Sequence, residues 1–279
     1  MMNKIALCLS LIFGVLTCSY AQSHLEDWSY DKNAVKQRKV IPHRYTGESH
    51  VKYHKRVHRV LDVREKKNRV MHWPRNPYYK IITDAAYKGP NADGGIATYT
   101  SDSLDYGSSY EVEELKERGS YEFVTQTVGA FGDLEDTVIN VKFKPEDIKK
   151  YRIMEDWIFD FKYSDFRAKI IAIAPLFELK ASTGVSLGED ALFWAKYEDL
   201  RGIHVNQEVF NPFNDAARLS FDDWFEMRQF SSYIVKESNM WDLDIKYQEA
   251  FLDDPMAALL ESEKIKNDLF IFEHDLWEY

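Results

Sequence analysis

The sequence predicts an α+β protein: a small antiparallel sheet packed with C-terminal helices, preceded by a basic extended or helical arm. Three observations lead there. Strand-like runs crowd the middle of the chain, helical spacing fills its last third, and charge divides sharply near residue 75. Lys36 to Arg75 holds thirteen Lys and Arg against Glu48, Asp62 and Glu65. Asn76 to Tyr279 holds 21 Lys and Arg against 40 acids. A basic segment therefore precedes an acidic body, either folded back on it or reaching for another acidic surface. The 279 residues suffice for one large domain or two small ones, and the net charge of −10 argues against nucleic acid as the main partner.

The expected division is a signal peptide over 1–21, a basic arm over 22–75 and a globular domain over 76–279. Lys4, the apolar run Ile5 to Val15 and the small residues around Ser19 and Ala21 make up the leader, with cleavage expected after Ala21. The run is short for a membrane span. Both cysteines, Cys8 and Cys18, fall in the leader. The lipidation reading of Leu16-Thr17-Cys18 is disfavoured by Thr17 and Leu16. Without the leader the chain has no thiol for a disulfide, a nucleophile or a thiolate metal site.

Gln22 to Val51 reads as extended or disordered. Val57, Val60, Leu61 and Arg64 recur at three-to-four spacing, which predicts a short amphipathic helix. Trp73-Pro74 and Asn76-Pro77 then enforce extended backbone. His50, His54 and His58 would share one face of such a helix. Lys55, Arg56 and Arg59 would repel a metal ion held there.

"YKGPNADGGIATY" is a turn-rich connector. "SSYEVEELKERG" reads as a helix capped by Ser109 or Ser108 and ended by Gly119. "TVINVKF" alternates as a strand, and "KPEDIKKY" opens with Pro in a first helical turn. "YRIMEDWIFDF" and "FRAKIIAIAPLFEL" flank the turn at Tyr163-Ser164-Asp165, and "ALFWAKY" completes a small antiparallel sheet. In "SFDDWFEMRQFSSYIVKES", Ser220 and Asp223 form a capping box, and Phe221, Trp224, Phe225, Tyr233 and Ile234 form much of one apolar face. A second helix starts at Pro255, capped by Asp253 or Asp254, with Leu259 and Leu260 toward the core. Ile265, Leu269, Phe272 and Leu276 continue its helical spacing.

No phosphate loop, nucleophile elbow, His-Glu-x-x-His or EF-hand pattern occurs. Glu273, His274 and Asp275 fan around about 200° of a helix and cannot chelate one ion together. The surrounding aromatics are more informative. Phe272, Leu276 and Trp277 would dock the last turns onto the body or anchor a partner, with Tyr279 at a surface edge. No catalytic, cofactor-binding or metal-binding residue is expected.

"EVFNPFNDAARLSFDDWFEMRQFSSYIVKESN" and "ALLESEKIKNDLFIFEHDLWEY" resemble the GldN/PorN family of Bacteroidota gliding motility and type IX secretion. "RVLDVREKKN", "YRIMEDWIFD", "IIAIAPL" and "ALFWAKY" fit the same pattern, from about Arg56 to Tyr279. The stretch from about Tyr99 to Asp147 is weakly similar, and Lys67 and Phe161 depart from the pattern. The resemblance implies a non-catalytic structural subunit. It implies a periplasmic ring beneath the outer membrane, built by self-association and with a GldK/PorK-like lipoprotein. That ring would couple to the GldM/PorM-like periplasmic part of a motor driven by the proton-motive force. Expected partner-interface residues are Arg56, Val57, Arg59, Leu61, Arg64 and Trp73 in the arm, and Phe272, Trp277 and Tyr279 at the end. The rivals are an envelope module that stacks glycans on its aromatics and a hydrolase using His204 or His274.

Overall fold

The computed structural model describes residues 35–128, 134–182 and 184–276. In chain order its strands are β1 (Val51–Asp62), β2 (Tyr121–Val128), β3 (Leu134–Val141), β4 (Lys150–Asp160), β5 (Asp165–Lys180), β6 (Ser186–Ala191), β7 (Ala195–Lys196), β8 (Glu208–Val209), β9 (Leu219–Ser220) and β10 (Tyr233–Glu237). The helices are α1 (Tyr78–Lys88), α2 (Val112–Glu117), α3 (Tyr197–His204), α4 (Phe221–Glu226) and α5 (Pro255–Asp275). An antiparallel sheet runs in the order β10-β1-β4-β5-β6, with β7 also on β5, while β2-β3 and β8-β9 form separate two-stranded pairs. The α+β class holds, and the expected strands around β4 and β5 are its centre.

The expected amphipathic helix around Val57 and Leu61 is instead part of β1, an inner strand of the sheet. The physical reason is double-sided burial. Every residue from Val57 to Leu61 is buried, so polar His58 and Arg59 interrupt the apolar alternation that would mark a strand. Their partners are remote in sequence. Val57 stands opposite Glu155, Arg59 opposite Ile153 and Leu61 opposite Tyr151 on β4. Residues 51–62 therefore belong to the body and not to an arm.

Alternation along β1 places Val57, Arg59 and Leu61 on one face and His58 and Val60 on the other. The first face carries the main core. Leu61, Tyr151, Ile153 and Ile173 pack there against Tyr78, Ile82, Leu200, Phe221 and Phe225 from α1, α3 and α4. Farther along, Val57 and Ile234 pack against Ile245 and against Ile265 and Leu269 of α5. The opposite face is closed by Tyr99 and Trp194 over Met154, Ala172 and Ala174.

Local chemistry sets several helix boundaries. Ser220 accepts from Asp223 N–H and Asp223 from Ser220 N–H, forming the expected capping box of α4. That helix is shorter than the spacing suggested. Arg228 adopts φ +53°, and Tyr233 and Ile234 lie on β10 rather than on a continuing helix. Asp254 caps α5 through Met256 and Ala257 N–H, with Pro255 opening the first turn. Gly119, at φ +82°, follows α2 as expected, but no serine side chain caps that helix. Leu259 and Leu260 face solvent instead of the core. The spacing analysis missed α1 and α3.

Candidate interface

The arginines expected to reach a neighbour are held by carboxylates of the same chain. Arg56 makes a bidentate pair with Asp156, at 2.7 and 2.8 Å. Burial is the largest single influence and raises the Asp156 pKa, but the Arg56 hydrogen bond, the Arg56 charge and His54 together leave the carboxyl below its ordinary value. Arg59 lies 3.2 Å from Glu155 as an ion pair, and Glu155 accepts from Arg228 at 2.9 and 3.0 Å. Glu155 is fully buried. Burial lowers the Arg59 pKa, opposed by the charge of Glu155. Arg64 is exposed and donates to Asp62. Its hydrogen bond holds the Asp62 carboxyl below the usual range. Val57 and Leu61 have no exposed surface and pack within the chain.

The described part of the basic segment before β1 folds back on the acidic body. Arg38 pairs with Asp223 and donates to the Arg218 carbonyl. Arg201 donates to the Ile41 carbonyl at 2.8 Å. Arg44 pairs with Asp165 at 3.1 Å and lies over the Tyr163 ring.

The candidate histidines are separated. His54 and His58 stand four residues apart on a strand, about 13 Å along its axis, too far to share an ion. Among the described residues no group of three His, Cys, Asp or Glu is placed to hold a metal. His58 is buried beside Arg152, and burial together with Arg152 and Lys236 lowers its pKa to about 3. Arg152 and Asp244 form a pair in the wall of a cavity of about 550 Å³. His204 is buried beneath α1, with Nε2 3.2 Å from the Tyr78 hydroxyl. Burial and Arg201 lower its pKa to about 3.

Phe272 stacks on Tyr53 at 4.4 Å and meets Phe166 edge-on at 5.3 Å, so it docks α5 onto the sheet. Trp277 and Tyr279 lie outside the described residues, as do the leader and residues 22–34. Trp73 is half-buried, 5.8 Å from Phe210.

Two loops that sequence analysis did not single out present bare aromatic side chains. After β10, Asn239 accepts from Trp241 and Leu243 N–H and donates to the Glu237 and Leu243 carbonyls. These four bonds fix a loop on which Met240 is 84% and Trp241 67% exposed. Between β8 and β9, Asn211 accepts from Phe213 N–H and donates to the Ala217 carbonyl, while Asn214 accepts from Ala216 N–H. Phe213 is 94% exposed at this second loop. The repeated pattern of Asn one to two residues before a large apolar residue was the available sequence signal.

The fold and these surfaces define an α+β protein whose internal charges are extensively paired and whose aromatic loops are held open to contact. A family model described as gliding motility associated protein GldN matches residues 46–278, and the chain belongs to that family. It is thus a component of gliding motility and type IX secretion machinery, associated with the cell envelope. A comparison with curated proteins finds no match. Among the described residues no helix is long and apolar enough to cross a membrane.

Proposed function

We propose that the protein is a non-catalytic structural subunit of a periplasmic ring required for protein secretion across the outer membrane. Its partners in this reading are a GldK/PorK-like outer-membrane lipoprotein, the GldM/PorM-like periplasmic part of the motor, and further copies of itself. Association with the membrane is indirect, through the lipoprotein. Membership of the GldN family over nearly the whole described chain carries the proposal.

The physical reading is consistent with it. Rings form when a head-to-tail contact closes on itself, which requires two different surfaces on each subunit. Rigid loops with exposed aromatics suit such contacts because little conformational freedom is lost on docking.

Co-expression with the lipoprotein, followed by sizing and electron microscopy of the purified product, tests the reading. A large closed assembly containing both chains is expected. Absence of any joint assembly, or substrate turnover abolished by replacing one acidic or imidazole group, would overturn it.

A further inference from the structure

Helix α5 is apolar on two sides, and only one of them meets the body. Ile265 and Leu269 pack with Val57 and Ile234, Phe272 stacks on Tyr53, and Ser262 accepts from Ile234 N–H at 3.1 Å. On the other side Met256, Leu259, Leu260, Phe270 and Ile271 are each between 50% and 65% exposed. Since each residue turns the helix by about 100°, this second stripe centres about 180° from Ile265. Glu263 and Asn267, also exposed, join its two apolar ends into one face. The helix has 21 residues, so the face runs for about 30 Å.

The stripe reads the same in both directions. Leu260 and Phe270 lie at equal sequence distance from Ile265, as do Leu259 and Ile271, Glu263 and Asn267, and Met256 and His274. Two copies laid antiparallel with Ile265 level therefore set leucine against phenylalanine or isoleucine on either side of the centre. Glu263 of one copy then meets the Asn267 amide of the other, a donor for its carboxylate. Parallel copies would set Glu263 against itself and align the two helix dipoles. A foreign ligand imposes no such symmetry on its site, whereas an isologous contact does. Lys264 and Lys266 pair along the helix with Glu261 and Glu263, at 3.1 and 3.2 Å, so the face calls for no charged ligand.

We propose that this chain pairs with a second copy through the exposed face of α5, the two helices lying antiparallel about a twofold axis level with Ile265. Five apolar side chains this exposed present on the order of 600 Å² per copy, so a closed pair removes about 1,200 Å² from water, the lower end for a stable specific contact. The contact goes beyond the ring reading and is independent of it. An isologous contact closes at two copies, and a ring needs a separate head-to-tail surface.

The experiment measures the oligomeric state of the chain from Gln22 onward by sedimentation velocity over a range of concentrations. The wild type is expected to reach a dimer. Leu260→Glu combined with Phe270→Glu is expected to keep the wild-type circular dichroism spectrum, because both side chains are exposed, and to weaken the dimer about a hundredfold or more. A second pair of variants does not depend on that result. Both native cysteines lie before residue 19, so Met256→Cys and His274→Cys each carry a single thiol. Positions 256 and 274 are about 27 Å apart along the helix. On oxidation an equal mixture of the two variants is expected to give a disulfide-linked dimer, and each variant alone none. A wild type that stays monomeric at every soluble concentration overturns the proposal, as does a dimer that survives the double substitution. Linkage within either cysteine variant alone shows a parallel or different contact and also overturns it. So does a dimer that forms only after residues 22–34 are removed, which assigns the face to that segment. A monomer that binds the lipoprotein through these residues overturns it too, while leaving the ring reading intact.

Discussion

Arg59 of β1 and Glu155 of β4 face each other at 3.2 Å inside the sheet, and Arg228 reaches the same carboxylate from the loop after α4. One buried acid thus ties three segments together, and Arg59 also donates to the Ser232 hydroxyl, 173 positions downstream. Trp157 lies against both guanidinium groups, at 5.8 and 5.4 Å.

Replacing Glu155 with Gln is expected to destabilise the protein by about 3–5 kcal/mol, because buried Arg59 loses the charge that compensates its burial and partly exposed Arg228 loses its partner. Arg59→Met combined with Glu155→Leu should cost less than the Gln variant alone. Urea denaturation of the three proteins checks both statements. Near-equal stability of the Gln variant and the wild type would show that the cluster contributes little.

His58 and His204 predict acid sensitivity. Both fold with a pKa of about 3, below the ordinary 6.5, because burial disfavours the imidazolium. Between those values the unfolded chain binds the extra protons. Their contribution is present above pH 6.5 and is lost as pH falls toward 3. The full loss is on the order of 5 kcal/mol per group. His204→Gln retains a polar partner for Tyr78 and removes the titration. It should make the pH-dependence of stability shallower between pH 6 and 4, measured by chemical denaturation.

The backbone position of β1 predicts an asymmetry between two truncations. Removal of residues 22–46 deletes Arg38 and Arg44 contacts on a partly exposed surface, and cooperative unfolding should persist with a modest loss of melting temperature. Removal of residues 22–73 deletes β1 and separates β10 from β4. The second protein should show no cooperative transition in circular dichroism.

Phe272→Ala should loosen α5 by about 3 kcal/mol, since the ring stacks on Tyr53 and meets Phe166. Amide exchange should quicken through α5 while β4 keeps its protection. Equal acceleration in both elements would mean that α5 is not a separate cooperative unit.

What could be read in advance followed the range of the interactions. Ser220 with Asp223, Asp254 before Pro255, and Gly119 after α2 are local, so spacing alone reveals their roles. Ile170, Ile171 and Ile173 signal β5 through composition. β1 was hidden because His58 and Arg59 are buried by remote partners, Arg152 and Glu155. The same remoteness misdirected the interface expectation. Arg56 and Arg59 looked available until Asp156 and Glu155 were placed across the strand. Leu259 and Leu260 looked like core because their helix is apolar on more than one side, and only its docking through Ile265 and Leu269 shows which side is left bare.

β1 is made early, but both of its neighbours in the sheet are made much later. Ser238 bonds Arg56 from 182 residues downstream, and β1 has no neighbour in the sheet until β4 and β10 arrive. Closure at the finish is slow for the same reason, because so much intervening chain must be gathered in one step. The sheet is therefore complete only once residues as far as Glu237 are available.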